Sequence, residues 1–404
     1  MDSSNKLFLL DAYALIYRAY YAFIKNPRIN SKGFNTSAIL GFVNTLEEVL
    51  KKENPTHIGV AFDPAGPTFR HEAFEQYKAQ REETPEAIRL SVPIIKDIIR
   101  AYRIPILEVA GYEADDVIGT LATEAGRQGI TTYMMTPDKD YGQLVSDKVF
   151  MYRPKHTGGF EVMGVEEVKA KFDIQSPAQV IDMLGLMGDS SDNIPGCPGV
   201  GEKTAKKLIS EFGSIENLLE HTDQLKGALK TKVETNREMI TFSKFLATIK
   251  IDVPIQLEMD SLVREEADED SLRSIFEELE FRTLIDRVLK KGVSGNGITS
   301  TPGSKVATGK SAPSPLPLFP EEGGGIQGNL FANFTPNEPD EAKKSNLETL
   351  ESQSRNYQLI DTEEKRREII QKLLTSKILS LDTETTGTEP MQAELDRMRI
   401  SIAE

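Results

Sequence analysis

Nine carboxylates in the first 200 residues fall in short motifs whose type and spacing could do chemistry. Asp11 ends the apolar run KLFLLD, and Asp63 ends HIGVAFD at the head of FDPAGPTFR. Glu113, Asp115 and Asp116 stand in GYEADDVIG, Asp138 and Asp140 in TPDKDYGQL, and Asp189 and Asp192 in GDSSDNIPG. Each motif alone has an ordinary explanation, since acids favour the first turn of a helix and aspartate favours turns. Brought together without lysine or arginine partners, the same acids would repel one another and need a cation. Oxygen donors without histidine or cysteine select hard ions, Mg²⁺ or Mn²⁺. The chemistry that such sites serve is phosphoryl hydrolysis by two ions about 4 Å apart, which activate water and offset the charge on the entering and leaving oxygens.

The elements that must position these acids read as α/β. Residues 6–11, 57–63 and 130–138 are apolar runs of strand length, each ending in aspartate, with helical stretches such as 36–52 and 86–102 between them. That alternation fits a mainly parallel central sheet flanked by helices, with the aspartates at the carboxyl ends of the strands, where open sheets bind ligands. Apolar residues 117, 118, 121 and 122 continue the EADD group into a helix, and Glu113 and Asp116 share one side of it at i, i+3 spacing. From 164 onward the pattern is mostly helical: 177–187, 201–212, 215–220, 236–248 and a closing helix over 271–289.

Composition narrows the classes. A length of 404 residues suggests two or three domains with real cores. The lone Cys197 excludes an intramolecular disulfide, and four scattered histidines lack metal-ligand spacing, which argues against zinc chemistry. No apolar run reaches about 18 residues and no signal peptide is evident, so a cytoplasmic protein is the expectation. A net charge of −15 argues against nucleic acid only on average, because local basic strips decide binding. Residues 292–356 are rich in Gly, Pro, Ser, Thr and Asn and read as a flexible linker. Beyond it come a strand at 357–360, a helix at 362–375 with Asp361 and Glu364 as a capping box, and a strand at 378–382 ending in DTETTG. The last unit reads as cut short, and the chain as a fragment. The expected domains are 1–165, an α/β core; 166–291, a helical subdomain; 292–356, the linker; and 357–404, the truncated unit.

Six motifs, LLDAYALIYRAYYA, FDPAGPTFRHE, YKAQR, GYEADDVIGTLA, TPDKDYGQLV and GDSSDNIPGCPGVGEKTA, share one order and spacing. Over about residues 5–290 they resemble the 5′ nuclease domains of the bacterial DNA polymerase I family, relatives of the flap endonucleases. DTETTG resembles the first motif of the 3′–5′ exonuclease domain, with Asp382 and Glu384 as its metal-holding pair. The resemblance implies a PIN-like core with a helical arch and a helix–hairpin–helix subdomain. All nine acids become metal ligands: Asp11, Asp63, Glu113 and Asp115 for one ion, Asp138, Asp140, Asp189 and Asp192 for the second, with Asp116 near both. It also implies catalysis by Lys78, Arg81 and Asp116, with Mg²⁺ or Mn²⁺ as cofactor and K⁺ in the helix–hairpin–helix segment.

The basic residues between 70 and 103 are interleaved with Glu72, Glu75, Glu82, Glu83 and Glu86, a pattern equally suited to a solvated helix face. The resemblance places Tyr77, Lys78 and Arg81 in the arch, where fixed cations would stabilise transition-state charge. Arg70 stands at the arch entrance and Arg18 on the first helix as further DNA contacts. In GCPGVGEKTAK, Gly199 and Gly201 flank a turn into a helix whose free amides, with Lys203 and Lys206, would grip a phosphate. The implied work is 5′–3′ exonuclease and flap endonuclease cleavage, removing RNA primers and 5′ flaps from branched or nicked duplex DNA. The implied form is a monomer joined to a C-terminal exonuclease and polymerase module. The rivals are a non-catalytic junction-binding arm, a stand-alone nuclease with an unrelated tail, and an RNA-cleaving nuclease with a related core.

Overall fold

The structure, a computed structural model, describes residues 5–155, 159–289, 362–375, 378–385 and 395–403. Six strands form one sheet in the order β3-β2-β1-β4-β5-β6. They are β1 (Lys6–Asp11), β2 (His57–Ala61), β3 (Ile106–Leu107), β4 (Thr131–Met135), β5 (Val149–Pro154) and β6 (Phe160–Met163). β1 pairs in parallel with β2 and β4, β2 with β3, and β4 with β5; β6 alone runs antiparallel. Because the chain steps from β1 to β2 on one side and to β4 on the other, a switch point opens at the carboxyl end of β1.

The period of two in a strand explains why β1 is apolar throughout. Leu7 and Leu9 face one core with α5 (Ala114–Arg127) and the helical subdomain. Phe8 and Leu10 face a second core with α1 (Ala12–Ala22), α2 (Ser37–Lys52) and α4 (Glu86–Ala101). After β6 the chain is helical, through α6 (Val165–Phe172), α7 (Val180–Met187), α8 (Glu202–Phe212), α9 (Ile215–Glu220), α10 (Gly227–Thr235) and α11 (Arg237–Ala247). α12 (Glu269–Glu278) and α13 (Arg282–Val288) return to the second core, where Leu272, Phe276 and Leu284 are buried.

Two expectations need correction. The closing helix is not continuous: Glu280 takes a left-handed φ of 63°, its carboxylate is held by Ser31, and Phe281 turns inward, so α12 and α13 are separate. The arch is not helical between α3 (Phe69–Ala73) and α4: residues 74–85 are turns and loop. Lys78 there has φ 57°, and Pro85 stands at the N-cap of α4. Turn hydrogen bonds and contacts to the 189–193 turn hold this strap, not a helical ladder.

The strand at 357–360, the linker at 292–356 and Asp361 lie outside the described residues. In the second compact unit, α14 (Glu363–Thr375) starts with the Lys365 amide donating to Thr362 Oγ1 at 3.4 Å, so Thr362 caps it. β7 (Ile378–Thr385) pairs antiparallel with β8 (Leu395–Ala403) and runs through Asp382 and Glu384 rather than ending before them. Among the described residues, no helix is long and apolar enough to cross a membrane.

Candidate active site

The carboxyl ends of β1, β2 and β4 and the start of α5 meet at the switch point. Asp11 is the N-cap of α1: its carboxylate accepts from the Ala14 amide at 3.1 Å and from Thr136 Oγ1, beyond β4, at 3.1 Å. Asp63, two residues past β2, accepts from the Ala114 amide at 2.7 Å, which ties it to the first turn of α5. Glu113 caps α5 and Asp115 lies in its first turn. Asp138 caps the 3₁₀ turn at Lys139–Leu144 by accepting from the Asp140 amide at 3.0 Å. Asp189 closes the hairpin turn before α8, accepting from the Ser191 amide at 2.7 Å.

Their charges divide the nine acids into two groups. Glu113, Asp116, Asp189 and Asp192 have basic partners. Asp11, Asp63, Asp115, Asp138 and Asp140 form no ion pair among the described residues. Burial, Asp63 and Asp138 push the Asp11 carboxyl up to about 7. Burial and the Glu113 charge push Asp115 well above the usual carboxylate range, and burial and Asp138 do the same to Asp140. Burial would also raise Glu113 and Asp192, but Lys78 outweighs it with Arg70 at Glu113 and with Arg81 at Asp192, so both lie below their ordinary values.

The strap supplies those cations. Lys78 Nζ lies 2.7 Å from Glu113 Oε1 and 3.7 Å from Asp192 Oδ2, and Arg81 Nη2 lies 2.5 Å from Asp192 Oδ1. The Tyr77 hydroxyl stands 3.0 Å from both Glu113 Oε2 and Asp192 Oδ2. Main-chain contacts stitch the strap to the 189–193 turn: the Lys78 amide donates to the Asp192 carbonyl, and Gln80 to that of Ser190.

Three site assignments change with the geometry. Asp116 is fully buried, and each of its oxygens accepts twice: Oδ1 from Arg70 Nη2 and the Lys250 amide, Oδ2 from Arg70 Nη1 and the Glu113 amide. In this arrangement its carboxylate is spent on Arg70 and two main-chain amides, with no lone pair directed at the other acids. Arg70, 2% exposed, also donates to Glu113 Oε2 and to the carbonyls of Leu246 and Thr248, so all five of its N–H groups are used and none is left for DNA. Tyr77 is buried between two acids and offers no surface to a base. Arg18 Nη2 reaches the Lys155 carbonyl at 3.4 Å. Gly199 has φ 75° at the turn before α8, and Gly201 is its N-cap, an extended residue without a capping side chain. Lys203 is exposed there, whereas Lys206 pairs with Glu202.

The residues present fit hard divalent ions. All donors are oxygens, and Asp140 Oδ1 is buried with no hydrogen-bond partner in the structure. The buried Tyr141 hydroxyl likewise lacks a partner, and its pKa is raised well above normal by burial and by Asp11, Asp115 and Asp138. Tyr141 is the site residue that sequence reasoning passed over; the only signal was its place one residue after Asp140. Among the described residues no three acids converge closely enough to form a finished ion cage. Lys78, Arg81 and Lys139 pair with Glu113, Asp192 and Asp189 respectively.

The raised Asp11 gives a pH prediction with a definite sign. Its native pKa of about 7 lies above the ordinary aspartate value of 3.8, so between those values the native state holds more protons than the unfolded state. In EDTA, melting temperature should therefore fall as pH rises from about 4 to 7. Asp11→Asn should flatten that slope; an unchanged slope in the variant would show that Asp11 is not the titrating group.

The mainly parallel sheet with acids at its switch point is followed by a helical subdomain in which a Gly-rich turn leads into α8. Two family models match in succession: the 5′-3′ exonuclease N-terminal resolvase-like domain over residues 6–173, and the 5′-3′ exonuclease C-terminal SAM fold over 175–270. The chain belongs to the 5′–3′ exonuclease family. It is 42% identical over 287 residues to a DNA polymerase I of Bacillus caldotenax, covering 70% of this chain and 32% of that protein. With a DNA polymerase I of Chloroflexus aurantiacus it shares 35% identity over 402 residues, 98% of this chain and 40% of the relative. The chain thus spans about a third of the length of these curated relatives. The fold is similar to a T5 5′-exonuclease with bound divalent metal ions (zinc), at TM-score 0.51 and 21% identity, covering 69% of this chain and 99% of that one. It is also similar to the catalytic core of Rad2 in complex with DNA substrate, at TM-score 0.50 and 18% identity, covering 71% and 92% respectively.

Proposed function

We propose that residues 5–289 form a divalent-metal-dependent, structure-specific 5′ nuclease that cuts DNA at flaps and 5′ ends. The observation that carries this reading is the set of five acids without ion-pair partners at the carboxyl rim of the sheet, with Lys78 and Arg81 held beside them. Asp11, Asp63, Asp115, Asp138 and Asp140 would hold Mg²⁺ or Mn²⁺, with Glu113, Asp189 and Asp192 at the margin. When bound, such ions lower the pKa of water and offset charge on a phosphodiester. Asp63 and Asp11, fixed by the Ala114 amide and by Thr136, keep their donor oxygens oriented. Lys78 and Arg81 would exchange their carboxylate contacts for the scissile phosphate and stabilise charge gained in the transition state.

The products would be mono- and oligonucleotides with 5′-phosphates, leaving 3′-hydroxyls. Exposed Lys203 and the amides at the start of α8 would hold duplex backbone, with K⁺ as an added ligand of that turn. The substrate would be read by its bent shape and free 5′ end, which suits primer and flap removal in replication and repair. The chain would act as a monomer in the cytoplasm, tethered to a C-terminal exonuclease and polymerase module to which Asp382 and Glu384 belong.

A 5′-flap DNA labelled at the flap end, incubated with the chain in Mg²⁺ and in EDTA, tests this. A cut near the junction that EDTA abolishes is expected. Tight junction binding with no cut in Mg²⁺ or Mn²⁺ would overturn the nuclease reading in favour of a binding arm.

A further inference from the structure

Five aromatic rings contact one another in series as a strip. Tyr112 lies 5.9 Å from Phe69, Phe69 lies 6.0 Å from Phe245, Phe245 lies 6.1 Å from Phe242, and Phe242 lies 5.6 Å from Phe74, all between ring centroids. Phe242 and Phe245 stand on α11 at i, i+3 spacing with their planes only 19° apart. Tyr112 immediately precedes Glu113, and Phe74 begins the strap that carries Tyr77 and Lys78. Tyr112, Phe69, Phe242 and Phe74 are half-buried, and Phe245 is exposed. Phe245 is 42% exposed, with Met239 on the same helix at 41% and Ile251 just beyond it at 41%. Exposed apolar side chains gathered on one helix and the turn after it suit a contact surface. Two cations border it: Lys250 Nζ lies 5.1 Å above the Phe69 ring, and the Arg70 guanidinium 4.5 Å.

We propose that this strip is a stacking platform for the unpaired 5′ strand of the junction substrate. The inference rests on the nuclease reading above and extends it to the flap. One end of the strip is next in the chain to Glu113 and the other lies in the strap that carries Lys78, so the rings start and finish at segments that supply site residues. Aromatic faces accept any base, which matches an enzyme that reads shape rather than sequence, and Lys250 supplies a backbone contact beside them. A protein partner would need no such continuity with the acid site.

The test compares binding of the whole chain to two junctions in EDTA, so that no cleavage intervenes. One junction has a 12-nucleotide flap carrying 2-aminopurine, and the other a single-nucleotide flap. Phe242→Leu with Phe245→Leu keeps the apolar surface and removes two π faces of the strip, the exposed one and its half-buried neighbour. Affinity for the long flap should fall about tenfold or more, with 2-aminopurine fluorescence rising, while the short flap binds as before. Equal weakening on both junctions, or none on either, would overturn the platform. If the unaltered chain binds neither junction and cuts neither in Mg²⁺, the nuclease reading itself fails, a result distinct from either outcome in the leucine variant.

Discussion

Changing Asp140 to asparagine should lower Mg²⁺-dependent cleavage about a thousandfold, the loss expected when several kcal/mol of metal-supplied charge stabilisation disappears. The same change should make the metal-free protein more stable. Asp140 is only 9% exposed, one of its oxygens has no hydrogen-bond partner, and it lies among Asp138, Asp189 and Asp192. Removing its charge relieves repulsion and desolvation together, whereas removing the charge of an ion-paired acid does the reverse. Opposite signs for activity and stability mark an acid retained for function. Cleavage rate in Mg²⁺ and the urea midpoint in EDTA are the two measurements. Unchanged turnover would remove Asp140 from the site, and a lowered midpoint would make it a structural acid.

Much of this site was legible in the sequence because the acids are tied to elements with strong local signals. Asp11 and Asp63 follow fully apolar runs, which a sheet buried on both faces requires, and both took their expected places at its rim. The strands β5 and β6 were not read: β5 mixes apolar residues with Arg153 and Pro154, and β6 is four residues long on an edge. The extra turn in 271–289 was invisible because it depends on Ser31, about 250 residues away, holding a left-handed Glu280.

The harder failure concerned partners. The nine acids look alike in one dimension, and the expectation that they lack basic neighbours treated them as one set. Three-dimensional pairing separates them. The strap's Lys78 and Arg81 neutralise Glu113 and Asp192, and Lys139 neutralises Asp189 only because the 3₁₀ turn faces the 189–193 hairpin. These are contacts across 35 to 111 residues of sequence, beyond any periodicity. The strap itself shows the same limit: an alternation of basic and acidic residues suggested a helix, but the segment is made of turns tied by main-chain and side-chain contacts to the 189–193 turn and the acids.

Arg70→Met should cost about 3–5 kcal/mol of folding stability, because it leaves Asp116 charged, buried and without its cation. The loss should exceed that of an exposed pair such as Arg100 with Asp97, which is worth at most about 1 kcal/mol. Asp116→Ala should cost a similar amount for the converse reason, stranding the guanidinium against the carbonyls of Leu246 and Thr248. The double variant Arg70→Met with Asp116→Leu should recover much of the loss, since apolar side chains of like volume often replace a buried ion pair without penalty. Urea midpoints in EDTA, compared as a double-mutant cycle, check this. Their sign is decisive for Asp116. Were it one of the mutually repelling ion ligands, its removal would stabilise the metal-free protein as removal of Asp140 should; a midpoint that rises in Asp116→Ala would return it to the metal site. A falling midpoint, rescued in the double variant, fixes its role as the anchor that ties α3 and the end of α11 to the first turn of α5. The pair then serves the chemistry indirectly, by holding Glu113 and Asp115 at the rim where the unpaired acids gather.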